Sequence, residues 1–477
     1  MKNIFVLFLA SIGAHIFAAD FYVDTGVTPG GDGTSASPFA DIQSAVNAAE
    51  KGDTIKLKGC FLISQASQCV IVPSSKPELT FAKWGEENFT VEVHNDFMQN
   101  VGFSTNIITV CAQSNTISGV EFVYHTDSLG KKNCGRGSFI FFCTNYQTIA
   151  GCKFYRPQSE SLPGYDGVAN LISGTKWGGS KDDARGQNHI TIKECVFENI
   201  YGSRLDVNKY PIKAGDYLKI ESCVFSNCHA MAYPIQNGKL SNYSIVSNVF
   251  VQAPVDNNNW LATSTTYAGI FLSAYHGFGR GEFAHNVFIG NDDGVPLFYY
   301  GRNDGFNNGV ISFHHNTVLG FDCVLAGGSE KTYGANQILF EIVDNVLDLN
   351  VIFFENSTIS EHQLSAIKNG SFLKNNAICL TDNSVITSGA AVSSEIYNLF
   401  DNLAVSGNIF LASAPVFIET ENISSTDFFR PRERDNPSWI GKGKYAWTNE
   451  GVFPDYIGAV EPAYSVKPSS SNRTDTL

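Results

Sequence analysis

Apolar and polar positions alternate with period two over short runs of this chain, and one run-ending phrase keeps returning. It reads GVEF at 119–122, CKF at 152–154, ECVF at 194–197, SCVF at 222–225, SNVF at 247–250 and HNVF at 285–288, then HNTV, DNVL, NNAI and GNIF up to Phe410. Taking the small or polar residue as anchor marks Gly119, Cys152, Cys195, Cys223, Asn248, Asn286, Asn316, Asn345, Asn376 and Asn408. Successive anchors lie between 25 residues apart (Cys223 to Asn248) and 43 apart (Cys152 to Cys195), which marks an internal repeat. A unit of about thirty residues cannot bury a strand such as YLKIESCVF alone, so each must stack on the next at about 4.8 Å. Cysteine in three successive units and asparagine in the next six then form inward ladders, in which each buried amide is satisfied by its neighbours above and below. The expected fold is all-β, a single-domain solenoid.

The pattern changes once, near the start. After FYVDT and the turn-rich GGDGTSASP, Ile42, Ala45, Val46 and Ala49 form one apolar helical face, with Ser37 expected as N-cap before Pro38 and Gly52 as the stop. This predicts a helix over about 38–51 lying across the first coil, DTIKLKG. Regular coils are expected over about 115–415, a closing segment over about 427–462 (DFFRPRERDNPSWIG, then DYIGAVEP) and a disordered tail over 465–477, with no second domain within 20–464. The repeat, the capping helix and the closing formula together resemble the secreted right-handed parallel β-helix proteins of the pectate-lyase-like superfamily.

Residues 1–19 carry Lys2, an apolar run over 4–12 and small residues at Ala18 and Ala19, the pattern of a secretory signal peptide. That run is too short to span a bilayer, and no other segment is long enough. A secreted or cell-surface protein with no membrane span is expected. A net charge of −14 argues against nucleic acid and against wholesale attraction to acidic polymers, so any acidic ligand would need a local basic patch. The eleven cysteines are an odd number without any CxxC, which argues against zinc; Cys60 and Cys69, flanking a short excursion, are the pair best placed to bridge.

In a solenoid whose ladder faces inward, chemistry must come from outward positions and from the segments between coils. Two long intervals hold Trp177, Lys181, Asp182, Asp183 and Arg185, and Trp260, Tyr267, Tyr275, His276 and Arg280, aromatic and basic groups that suit sugar faces and carboxylates. Ten positions before successive anchors stand Arg185, Lys213, Gly238 (beside Lys239) and His276, which predicts a basic column on neighbouring coils. Around residues 200–250, PIKAGDYLKIESCVF followed by YPIQNGKLSNYSIVSNVF resembles the chondroitinase B and alginate lyase family. That resemblance implies Lys213 as catalytic base and Lys239 at the arginine position of the next coil. It also implies a calcium site at Asp206 and Asn208, where the family has two acidic ligands, so calcium is the one cofactor implied. The family's Arg-His pair after the lysine coil is missing, and the ladder residue there is Cys223.

These assignments describe a polysaccharide lyase cleaving a uronic-acid-containing chain by β-elimination, with Lys213 lowered in pKa by Lys239 and Arg185. Arg185, His276, Tyr275, Arg280 and Trp260 would bind the polysaccharide. Two alternatives stand beside it: a non-catalytic surface or carbohydrate-binding β-helix, and a polygalacturonase-like hydrolase using Asp292, Asp293, Asp304 and His276. His314 and His315 precede anchor Asn316; strict alternation turns one inward and one outward, which argues against a metal pair.

Overall fold

The computed structural model describes residues 18–94, 106–125, 138–157, 170–173, 189–199, 210–213, 217–228, 242–252, 270–272, 280–290, 297–300, 309–321, 325–327, 338–349, 353–354, 372–380, 408–411, 414–415 and 417. Most of these lie in strands, whose pairings are parallel, and the architecture is a right-handed parallel β-helix. The first face begins with Asp20–Asp24 and the first half of Thr54–Ile63, and each later coil adds one strand up to Phe372–Lys374. The second face begins with the other half of Thr54–Ile63 and ends at Ile409–Phe410. A third face is described in two blocks. Five strands run from Val70–Val72 to Tyr210–Lys213, and four from Ile270–Leu272 to Phe353–Phe354. The first seventeen residues, the closing segment and the tail lie outside the described residues. Among those described, no helix is long and apolar enough to cross a membrane.

Alternation fills the interior with one side chain per coil at each inward position. Ile55, Phe81, Ile117, Ile149, Ile192, Ile220, Ile245, Phe283, Phe313, Ile342 and Leu373 form one buried column on the first face. On the second face Phe122, Phe154, Phe197, Phe225, Phe250 and Phe288 stack in register, with ring centroids 4.6–5.1 Å apart. That spacing is the inter-strand distance, so the backbone repeat itself sets the rings at stacking separation. Each buried ring contributes about 1.5–3 kcal/mol from burial alone.

The anchors lie one to a coil at the bend between the first two faces, with one shift of register. Lys153 pairs with Glu121, so the ladder neighbour of Cys152 is Val120, and Gly119 belongs one step earlier. There it joins a column of left-handed turn residues: Gly151, Glu194, Ser222, Ser247, His285, His315, Asp344 and Asn375, all with φ between 53° and 58°, while Gly119 itself has φ 68°. The left-handed residue turns the chain between faces, and the next residue points in.

In the asparagine half, the backbone N–H and Nδ2 of each anchor both donate to Oδ1 of the next, as from Asn286 to Asn316 at 2.9 and 3.0 Å. Nδ2 of Asn316 also donates to the carbonyls of Phe283 and His314 at 2.9 and 3.0 Å. The cysteine anchors are more than small apolar fillers. Cys223 Sγ donates to the carbonyls of Glu221 and Ile192 (3.4 and 3.6 Å) and accepts the N–H of Cys195 at 3.4 Å, a weaker version of the same scheme. Burial pushes the Cys152 and Cys223 thiols up, so both stay protonated donors.

The capping helix is shorter than expected, Ile42–Ala48, and its N-cap is Asp41 rather than Ser37. Asp41 accepts from the Ser44 N–H at 2.8 Å, whereas Phe39 is held extended by bonds to Tyr22 and Asp24, so Pro38 does not open a helix. The helix buries Ile42, Ala45 and Val46. Gln43 also donates to the Ile71 carbonyl and accepts its N–H, which closes the exposed edge of the third face.

Candidate functional site

Most residues singled out from the sequence lie outside the described residues: Arg185, Lys239, His276, Tyr275, Trp260, Asp206 and Asn208, and likewise Asp292, Asp293 and Asp304. Two are placed. Lys213 ends the third-face strand Tyr210–Lys213, directly after buried Ile212. In register with it on the preceding coil is Ser173, then Phe141, Thr109 and Ile71. Ser173 stands twelve positions before Arg185. Counting back from the anchors and following the hydrogen-bonded register therefore give different neighbours for Lys213. The cause is the connection to the next first-face strand, which occupies 174–189 in one coil and 214–218 in the next.

Arg280 opens the first-face strand Arg280–Ala284. Its Nη2 donates to Glu341 Oε2 at 3.1 Å and Oε1 at 3.5 Å, across two coils, and its side chain is 45% exposed. It belongs to a group that sequence reasoning missed. The outward column of the first face runs Thr54, Thr80, Thr116, Thr148, Thr191, Lys219, Ser244, Glu282, Ser312 and Glu341. Threonines occupy the amino-terminal coils, whereas two carboxylates separated by Ser312 occupy the later ones. Ser312 Oγ donates to Glu341, and Ser244 Oγ donates to Glu282 Oε2 at 3.4 Å.

His314 and His315 join this column to the bend. His314 Nε2 lies 3.0 Å from Glu282 Oε1, the two Nδ1 atoms lie 3.1 Å apart, and His315 Nε2 stands 3.9 Å from Asp344 Oδ2. Both rings therefore meet outside the ladder, which corrects the expectation that alternation would separate them. His315 has φ 53°, and a left-handed residue breaks the two-residue period. His285 stacks on His315 at 5.1 Å from the coil before.

Bonding assigns the protons. A carboxylate only accepts, so His314 Nε2 donates to Glu282, and one hydrogen lies between the two Nδ1 atoms. The result is a chain from Glu282 through His314 to His315, whose Nε2 faces Asp344 Oδ2 at 3.9 Å, beyond hydrogen-bond distance. Its Asp344 end is fully buried, and the Glu282 side chain at the other end is 30% exposed. The hydrogen bond from His314 is the largest influence holding the Glu282 carboxyl below its ordinary value, against desolvation that raises it. Among the described residues, no group of three or more His, Cys, Asp and Glu could hold a metal ion.

The depressed Glu282 fixes a sign. Its stabilising contribution is complete above the ordinary glutamate pKa and disappears as pH falls through the lower folded value. His314→Leu removes the main cause, so the acid midpoint followed by circular dichroism should move to higher pH than in the parent protein. Coincident acid limbs would show that the contact does not act on Glu282.

No family model matches the chain, and no curated protein matches it in sequence. Solved structures are similar at low identity. A crystal structure of the pectate lyase Pel9A aligns over 94% of this chain and 98% of its own, with TM-score 0.51 and 12% identity. A family 6 polysaccharide lyase from Pseudopedobacter saltans aligns over 87% and 96%, with TM-score 0.41 and 14% identity. The chain has a pectate-lyase-like right-handed parallel β-helix fold, spanning nearly the whole length of that pectate lyase.

Proposed function

We propose that this is a secreted carbohydrate-active protein and, within that class, a polysaccharide lyase acting on a uronic-acid-containing chain. The observation that carries the class is a β-helix shared end to end with a pectate lyase, joined to outward polar and charged columns on an otherwise close-packed solenoid. A repeating column of hydroxyls and carboxylates suits a polymer better than a compact metabolite.

The elimination places Lys213 as base. In its neutral amine form it takes the C5 proton; the C4–O4 bond breaks, a C4–C5 double bond forms, and the leaving oxygen takes up a proton. Lys239 and Arg185 would hold the C6 carboxylate, whose charge grows as the C5 proton leaves. Asp206 and Asn208 would hold calcium, which supplies further positive charge to that carboxylate. His276, Tyr275, Trp260 and Arg280 would line the path of the chain.

A hydrolase is the second reading, favoured by Glu282 and Glu341. They share one outward column two coils apart, about 9–10 Å along the backbone. Inverting glycosidases hold their two carboxyl groups at about 6.5–9.5 Å.

Incubation with alginate, chondroitin sulfate and polygalacturonate separates the readings. Lyase action raises ultraviolet absorbance from the unsaturated uronate in step with new reducing ends. Reducing ends without absorbance mean hydrolysis. Retention on a polymer column with neither product means a binding protein, and no interaction with any of the three polymers would remove the uronate assignment.

A further inference from the structure

Cys111 and Cys143 follow two stacked third-face strands, Ile108–Val110 and Ser138–Phe142. Val110 pairs with Phe142, and the next backbone bond, from the Cys143 N–H to the Val110 carbonyl at 2.8 Å, carries the register on to the two cysteines. Their Sγ atoms lie 2.7 Å apart. Two unbonded heavy atoms of ordinary size rest at about 3.5–4.0 Å, so thiols in this position are already pressed together. Adjacent strands are about 4.8 Å apart. That separation falls inside the range of about 4.4–6.8 Å between the α-carbons of bridged cysteines, so no backbone movement is needed.

We infer that Cys111 and Cys143 form a disulfide that staples two successive coils of the third face. Other described cysteines are worse placed. Cys152, Cys195 and Cys223 are buried, with their sulfurs donating to carbonyls of the ladder. The Cys111–Cys143 sulfur contact has no counterpart between Cys60 and Cys69, the pair expected to bridge. Cys60 lies against Glu92, and the two thiols are each pushed up to about 11, chiefly by burial. Cys111 and Cys143 are only partly buried, so an oxidant can reach them.

The reaction is an exchange with an external disulfide, either a disulfide-carrying oxidoreductase or a small disulfide such as oxidised glutathione. One thiolate attacks it and releases one thiol; the second thiolate attacks the mixed disulfide and releases the other. Two electrons pass from the protein sulfurs to the oxidant, and the two protons end on its thiols. The new bond closes a loop over 112–142, so it restricts the unfolded chain as well as tying neighbouring coils. None of this depends on the carbohydrate assignment.

The purified full-length chain, equilibrated in glutathione redox buffer and alkylated before digestion with trypsin, tests the assignment. The expected product is peptide 84–131 joined to peptide 137–153, with fragment ions placing the link at Cys143 rather than at Cys152, and separation on reduction. Alkylated Cys111 and Cys143 in the oxidised sample, or a link from either one to Cys134, would overturn it. Reductant should also lower the thermal midpoint of the parent protein, on the order of 5 °C, and leave a Cys111→Ser/Cys143→Ser variant unmoved. Equal responses of the two proteins would contradict the staple.

Discussion

Asn316→Ala should destabilise the protein by about 4 kcal/mol, among the largest effects of any single substitution in the chain. Asn316 is wholly buried. Its Oδ1 accepts the backbone N–H and the side-chain amide of Asn286, and its Nδ2 supplies Phe283, His314 and Asn345. Truncation leaves several of these groups without partners in a dry interior, at about 1–3 kcal/mol for each group left unsatisfied. Asn316→Cys should lose about half as much, because a thiol at Cys223 already serves two carbonyls and one N–H in the equivalent position. Thr148→Ala, on the outward column of the first face, should change stability by no more than about 0.5 kcal/mol. A solenoid need not unfold in one step. The measurement is therefore hydrogen exchange in strands Gly309–His314 and Thr317–Phe321 together with the urea midpoint. Equal protection in Asn316→Ala and the parent protein would refute the ladder's energetic role.

The ladder was legible in the sequence because it combines two strong local signals, strand alternation and a polar anchor at the bend. Both survive insertions in the segments between coils. The register error at Gly119 has a physical origin: glycine suits the left-handed turn position next to the anchor as well as the anchor itself, and only the pairing of Lys153 with Glu121 tells them apart. The His314–His315 contact was hidden for a related reason, since the same left-handed residue ends the alternation used to separate them. A usable signal existed. The residues before the anchors from Cys195 to Asn376 are Glu, Ser, Ser, His, His, Asp and Asn, which is too polar a series for a buried strand and natural for a turn.

The outward carboxylates were hidden differently. Glu282, Ser312 and Glu341 are isolated letters in three strands, and only parallel pairing brings them into one column. The anchor works as a ruler for the strands beside it and loses register across the third face. Ser173 and Lys213 are paired there, although they stand 22 and 10 positions before their anchors Cys195 and Cys223. Variable connections cost little in chain entropy, so nothing in the fold keeps their lengths equal.

Lys213→Ala should lower kcat on whichever uronate polymer the protein cleaves by about 10²–10⁴-fold, the usual contribution of a positioned base. KM should change far less, because Lys213 is assigned to the C5 proton and not to the C6 carboxylate. Lys239→Ala and Arg185→Ala should affect kcat/KM through the carboxylate, whose charge peaks during proton removal. Lys51→Ala provides the control: Lys51 is an exposed residue outside the outward first-face column, paired with Glu78 at 3.0 Å, so its loss should leave turnover unchanged. Far-ultraviolet circular dichroism must show all four variants folded before rates are compared. Glu282→Gln and Glu341→Gln give the opposite arm. In a hydrolase either substitution removes a carboxylate needed at the glycosidic bond, and turnover collapses while Lys213→Ala remains active. A Lys213→Ala protein that still generates unsaturated uronate at the parent rate would eliminate Lys213 as the base. The third-face position at the end of Tyr210–Lys213 would then be structural, and the outward column of Ser244, Glu282, Ser312 and Glu341 would be the place to look for the chemistry.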